Sequence, residues 1–151
     1  MQFNLEKSIG EWFPFFGSEI KADGEIDYLP PEKDAGRVCI RIADGQTMEA
    51  IHAQTRTRKA EFALNTKTRQ MERVPYIDQT PEQEKIEREL IWDHVIQDWE
   101  GLLDIAGKPI PCTLENKMKM MNIPVFARFV GRCLTLITGG AEEKKAALEK
   151  N

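Results

Sequence analysis

Apolar positions recur along this chain in three regimes. From Met1 to Ile42 they form short alternations. Ile26 and Tyr28 alternate with acids in Glu25–Leu29, and Val38, Ile40 and Ile42 share one face at period two. Between these runs lies Pro30–Gly36, a polar stretch rich in turn residues, so the pattern predicts a hairpin with a long loop. A two-stranded hairpin is marginal by itself in water. The cluster Trp12, Phe13, Phe15 and Phe16 is its expected cover, and exposed anchoring of a partner is the other use of such aromatics.

From Gln46 to Leu64 breakers are few, which predicts a moderately amphipathic helix with Met48, Ile51, Phe62 and Ala63 inward. Asn65–Arg69 reads as a polar loop. Val74–Ile77 reads as a short extended piece, because Pro75 pushes its predecessor out of the helical region.

The last regime is the best specified. Thr80, Pro81 and Gln83 form a capping box with proline at the first helical position. Ile86, Leu90, Ile91, Val95, Ile96 and Trp99 then make a stripe that carries the helix to Glu100, with Gly101 as its stop. Asp104–Gly107 is a turn between two extended arms. Thr113 caps a short helix bearing Leu114, Met118 and Met121. Pro124 opens a final helix whose buried face is Phe126, Phe129, Val130, Cys133, Leu134 and Ile137, ended by Gly139–Gly140. The expected fold is α+β, mainly α: a small N-terminal β-hairpin with a C-terminal helical half. It is one globular domain over residues 1–140, divided into hairpin and aromatic cluster (1–45) and helices (46–140). A charged mobile tail, 141–151, follows, in which Leu148 is the one large apolar residue.

Composition narrows the function classes. The chain has 151 residues, a net charge of -4 and a mean hydropathy of -0.47, so it is neither a strongly basic nucleic-acid coat nor a disordered polymer. Its longest apolar stretch, Ile123–Ile137, is interrupted by Arg128 and Arg132 and falls short of the ~20 residues of a membrane span. Together with an N-terminus that lacks a long apolar core, this points to the cytoplasm. Cys39, Cys112 and Cys133 are widely spaced and form no CxxC, which predicts buried thiols and no metal site. His52 and His94 are the two histidines, each on an expected helix. No HExxH, GxSxG or phosphate loop accompanies them. No catalytic residue and no cofactor are therefore expected.

The net charge conceals a segregation. Arg56, Arg58, Lys59, Lys67, Arg69 and Arg73 make the segment His52–Pro75 locally +4, whereas Thr80–Glu100 carries -5. Phosphate binding by the basic segment is physically reasonable and makes a small nucleic-acid-binding regulator one candidate. With Phe62 as the sole aromatic in its core, nucleic acid is the weaker reading. Protein binding is better supported, through Trp12, Phe13, Phe15, Phe16, Met118, Met121, Phe126 and Phe129: aromatic anchors and adaptable thioethers suit a partner surface.

The run from Trp92 to Asn116, WDHVIQDWEGLLDIAGKPIPCTLEN, resembles small proteins of tailed bacteriophages and prophages assigned as tail assembly chaperones or minor tail components. The resemblance extends loosely over Thr80–Asn151. Its signature positions here are Trp99, Gly101, Gly107, Pro109 and Thr113. It implies a cytoplasmic protein that binds the long helical tape-measure protein and keeps it soluble until tube subunits replace it. It also implies that no residue is catalytic. In many phages a ribosomal frameshift makes a longer product as well. The alternative within the same setting is a structural minor tail protein or adaptor retained in the virion. Self-association is left open.

Overall fold

The computed structural model of the chain describes residues 10–139. The expected charged tail, 141–151, lies outside the described residues. The chain divides into two compact units: Gly45–Ile91 forms one, and the segments before and after it form the other.

In the flanking unit, β1 (Glu11–Pro14), β4 (Arg37–Ile40) and β7 (Ile96–Glu100) build an antiparallel sheet in the order β1-β4-β7. Its central strand buries Val38, Cys39 and Ile40 in succession, as a strand paired on both sides and covered on its faces does. The strands β2 (Ser18–Ile20) and β3 (Ile26–Tyr28) form a separate small hairpin. Two helices complete the unit, α3 (Leu114–Met121) and α4 (Pro124–Thr138). α4 supplies Phe126, Phe129, Val130, Cys133 and Leu136 to the core. Phe16 meets Phe129 edge to face at 4.8 Å, Phe15 lies 5.0 Å from the same ring, and Trp99 stands at 84° to Phe126 with centroids 6.2 Å apart. Each such pair adds about 0.5–1.5 kcal/mol beyond area burial.

The inner unit consists of α1 (Gly45–Thr55), the long hairpin β5 (Thr57–Asn65) and β6 (Gln70–Asp78), and most of α2 (Pro81–Val95). The predicted capping box is present: the Gln83 amide donates to Thr80 Oγ1 at 3.1 Å, and the Thr80 amide donates to Gln83 Oε1 at 2.9 Å.

The fold is a mixed α+β structure rather than a mainly α one: the described residues contain seven strands in three sheets beside four helices. The structure departs from the expected pattern at three places. First, Glu25–Leu29 and Arg37–Ile42 do not pair. A tight turn with Gly24 at φ +88° and Asp23 accepting from the Glu25 amide closes β2 onto β3, which costs less loop entropy than the seven-residue polar loop would. Second, the helix expected over Gln46–Leu64 stops at Thr55, and β5 begins two residues later. Lys59, Ala60 and Glu61 are ordinary helix formers; their extended state comes from nonlocal pairing with β6. Third, the helix expected to reach Glu100 ends at Val95. Ile96 and Trp99 are buried with Gln97 and Asp98 exposed between them, a three-residue spacing that mimics a helix. A register shift opposite Cys39/Ile40 lets a strand produce that spacing.

Candidate partner-binding surface

The residues of the Trp99–Asn116 signature act as an internal brace. Trp99 Nε1 donates to the Ile110 carbonyl at 2.7 Å, tying β7 to the segment beyond the turn. Asp104 Oδ1 accepts from the amides of Ala106 and Lys108, both at 2.9 Å, and Gly107 at φ +79° turns the chain so that Leu103 bridges Pro109. Gly101 adopts φ +75° against Gly36: a Cβ on Gly36 would lie 2.7 Å from the Gly101 carbonyl carbon. Thr113 Oγ1 caps α3 through the Asn116 amide at 3.2 Å, while Asn116 Nδ2 donates to the Pro111 carbonyl at 2.9 Å. At the other end of that segment, the buried Lys117 donates to both the carbonyl and the carboxylate of Asp93 at 3.0 Å.

Most of the apolar side chains picked out for a partner lie inward. Phe13, Phe16, Met121, Phe126 and Phe129 are buried, while Phe15 and Met118 are half-buried. Trp12 faces outward with the Arg37 guanidinium 4.9 Å above its ring, and Arg37 also pairs with Glu100. Of the buried face expected for α4, Leu134 and Ile137 are half-buried and Leu136 takes the deep position.

Among the described residues, exposed large apolar side chains gather on the β5–β6 hairpin, which carries Phe62, Leu64, Met71, Val74, Tyr76 and Ile77. Its register places Arg58 opposite Ile77, Ala60 opposite Pro75, Phe62 opposite Arg73 and Leu64 opposite Met71. Directly opposed residues share a face, and alternate positions follow them. One face is therefore Arg58, Ala60, Phe62, Leu64, Met71, Arg73, Pro75 and Ile77: six apolar residues, two arginines and no carboxylate. Phe62 is 72% exposed, Met71 61%, Ile77 60% and Leu64 58%. The opposite face carries Lys59, Glu61, Glu72 and Asp78 around Val74 and Tyr76, and is net acidic. The turn is fixed by Asn65 Oδ1, which accepts from the Lys67 amide at 2.9 Å, and by Arg69 at φ +57°. Of this face, Phe62 is expected inside a helix and Ile77 in a short extended piece; the first lies in β5 instead and the second in β6. A partial signal lay in the alternation of Ala60, Phe62 and Leu64 with Lys59 and Glu61; Met71–Ile77 carries no such alternation, and its place on this face comes from the register alone.

The basic segment resolves into paired and open charges. Arg56 Nε reaches Glu87 Oε1 at 2.8 Å, His52 Nε2 lies 3.5 Å from the same oxygen, and Lys59 pairs with Asp78 at 2.8 Å. The Arg56 hydrogen bond holds the Glu87 carboxyl below its usual range. Arg58 and Arg73, on the apolar face, have no ion-pair partner among the described residues. At the hairpin's base, a cleft of about 510 Å³ lies against α1, lined by Gly45, Met48, Glu49, His52, Ala53, Arg56, Arg58 and Ile77. It joins apolar and cationic side chains with the Glu49 carboxylate and shares Arg58 and Ile77 with the exposed face.

His94 belongs to the other unit. Its Nε2 is buried without a hydrogen-bond partner, and burial, reinforced by Arg41, lowers its basicity. Burial raises all three thiols, Cys133 most strongly, so none is an activated nucleophile. Among the described residues no three His, Cys, Asp or Glu side chains group where they could hold a metal ion. No single helix there is long and apolar enough to cross a membrane.

A search of curated proteins and one of solved structures each returned no significant match. A family profile described as "YdaY prophage protein" matches residues 45–151, which takes in the whole hairpin and the brace. The match spans well over half of the chain, and the protein therefore belongs to the YdaY prophage protein family.

Proposed function

We propose that this prophage protein is a non-catalytic tail assembly chaperone that binds and solubilises the tape-measure protein in the host cytoplasm. The tail setting comes from the resemblance of Trp92–Asn116 to tail assembly chaperones. The observation that carries the binding role is the exposed apolar face of the β5–β6 hairpin, Phe62, Leu64, Met71 and Ile77. Apolar side chains concentrated on one face of a two-stranded ribbon, with no third strand among the described residues and high exposure, mark an interaction surface. The helix faces first picked out for this role are largely committed to the core, so binding is assigned to the hairpin.

Co-expression with the tape-measure gene tests the reading. The expected result is a soluble complex that co-purifies. Failure both of co-purification and of solubility rescue removes the chaperone assignment. Mass spectrometry of purified particles provides a second check: a chaperone is absent from the finished tail, and its presence there at fixed stoichiometry means a structural component instead.

A further inference from the structure

The two faces of the hairpin differ in charge as well as in polarity, and this constrains what covers the apolar one. Arg73 stands directly opposite Phe62 and between Met71 and Pro75, while Arg58 stands opposite Ile77 at the mouth of the α1 cleft. Arg73 is thus set within the apolar face and Arg58 at its end beside the α1 cleft, and neither has an ion-pair partner among the described residues. The other face bears Glu61, Glu72 and Asp78 against Lys59.

A bilayer or a nucleic acid fits this arrangement poorly. Sinking Phe62 to acyl-chain depth would drag Arg73 with it, and the basic residues of an interfacial amphipath lie on the polar face, which here is acidic. Phosphates would offer nothing to the six apolar side chains and would be repelled by the reverse face. A protein segment that covers the ribbon face alone meets two exposed arginines and no carboxylate on that face, Glu49 belonging to the adjoining α1 cleft. It can place carboxylates beside them where desolvation makes the pairs count. Strands of nine residues span about 30 Å, the length of a helix of about 20 residues.

We infer that the β5–β6 face docks an amphipathic helix of about 20 residues. The helix lays an apolar stripe over Phe62, Leu64, Met71 and Ile77 and directs acidic side chains to Arg58 and Arg73. This rests on the hairpin being the partner-binding surface, and it names the chemistry of the partner there. Because an uncovered two-stranded ribbon is marginal in water, docking also stabilises the hairpin itself.

The test uses the full chain and a synthetic 20-residue helix with leucines at i, i+3, i+4 and i+7 and glutamates beside them. Its companion peptide carries lysine in place of glutamate. A 20-base-pair DNA duplex and phosphatidylglycerol vesicles complete the panel. The Glu peptide is expected to bind at least tenfold tighter than the Lys peptide and to slow amide exchange across Thr57–Asp78. The Arg58→Glu/Arg73→Glu variant, its fold checked by near-ultraviolet circular dichroism, is expected to reverse the preference. Equal binding of both peptides, an unreversed preference, or protection of the hairpin by DNA or vesicles but not by the Glu peptide overturns the inference. The tail assignment fails separately. If the Glu peptide protects the hairpin while the tape-measure protein stays insoluble, the docking face stands and the chaperone reading falls. If Phe62→Ser/Leu64→Ser rescues the tape-measure protein as well as the parent does, the reverse holds.

Discussion

Arg73 faces Phe62 across the β5–β6 ribbon, a cation set beside the most exposed aromatic ring among the described residues. Neither side chain is held in the core, so both are available to a partner at little cost to the fold. Replacing Phe62 and Leu64 by serine is expected to change unfolding free energy by no more than about 0.5 kcal/mol per site, as for surface substitutions elsewhere. The same variant is expected to weaken partner binding at least tenfold. Urea unfolding followed beside a binding titration separates the two effects.

The brace around Trp99 behaves oppositely. Trp99 is buried against Phe126 and donates its indole hydrogen to the Ile110 carbonyl. Trp99→Ala is expected to cost about 3–5 kcal/mol, because it opens a cavity and strands a carbonyl. The denaturation midpoint measures this directly.

Gly36 and Gly107 provide a matched pair. A methyl group on Gly36 meets the Gly101 backbone at 2.7 Å, whereas one on Gly107 meets open space but must adopt φ +79°. Gly36→Ala is expected to cost about 1–3 kcal/mol through overpacking, and Gly107→Ala about 1 kcal/mol through backbone strain alone. Thermal melts of the two variants should fall in that order.

Acid should weaken the fold in two windows. His94 is less basic in the folded chain than its ordinary 6.5, chiefly because it is buried and secondly because of Arg41; Asp44 and Asp93 oppose this, and Lys117 adds to it. Below about pH 6.5 the unfolded chain takes up the proton first, so stability falls as pH drops toward the folded value. Glu87 is shifted below its ordinary 4.5 by Arg56, so its contribution is present above that value and is lost as pH falls through the folded one. Stability measured from pH 8 to pH 3 should decline in both ranges. His94→Gln is expected to flatten the upper one, and Glu87→Gln the lower one.

Local chemistry was legible where it is self-contained. Thr80, Pro81 and Gln83 announce α2, Thr113 announces α3, and the stripe from Phe126 to Cys133 announces α4, because capping and helical periodicity act within a few residues. Strand partners were not legible. The bulge in β7 disguises its spacing as helical, and β5 takes its conformation from β6 rather than from its own residues. The candidate surface shows the same limit: the charge excess of the basic segment is visible along the chain, but the face that gathers Phe62, Leu64, Met71 and Ile77 exists only in the register of the two strands.

The most direct measurement is co-purification of the tape-measure protein with the parent chain and with Phe62→Ser/Leu64→Ser, both checked for native melting. A soluble complex with the parent and its loss with the variant is the predicted result. Equal recovery with both, or recovery with neither, contradicts a chaperone that binds through its β5–β6 hairpin.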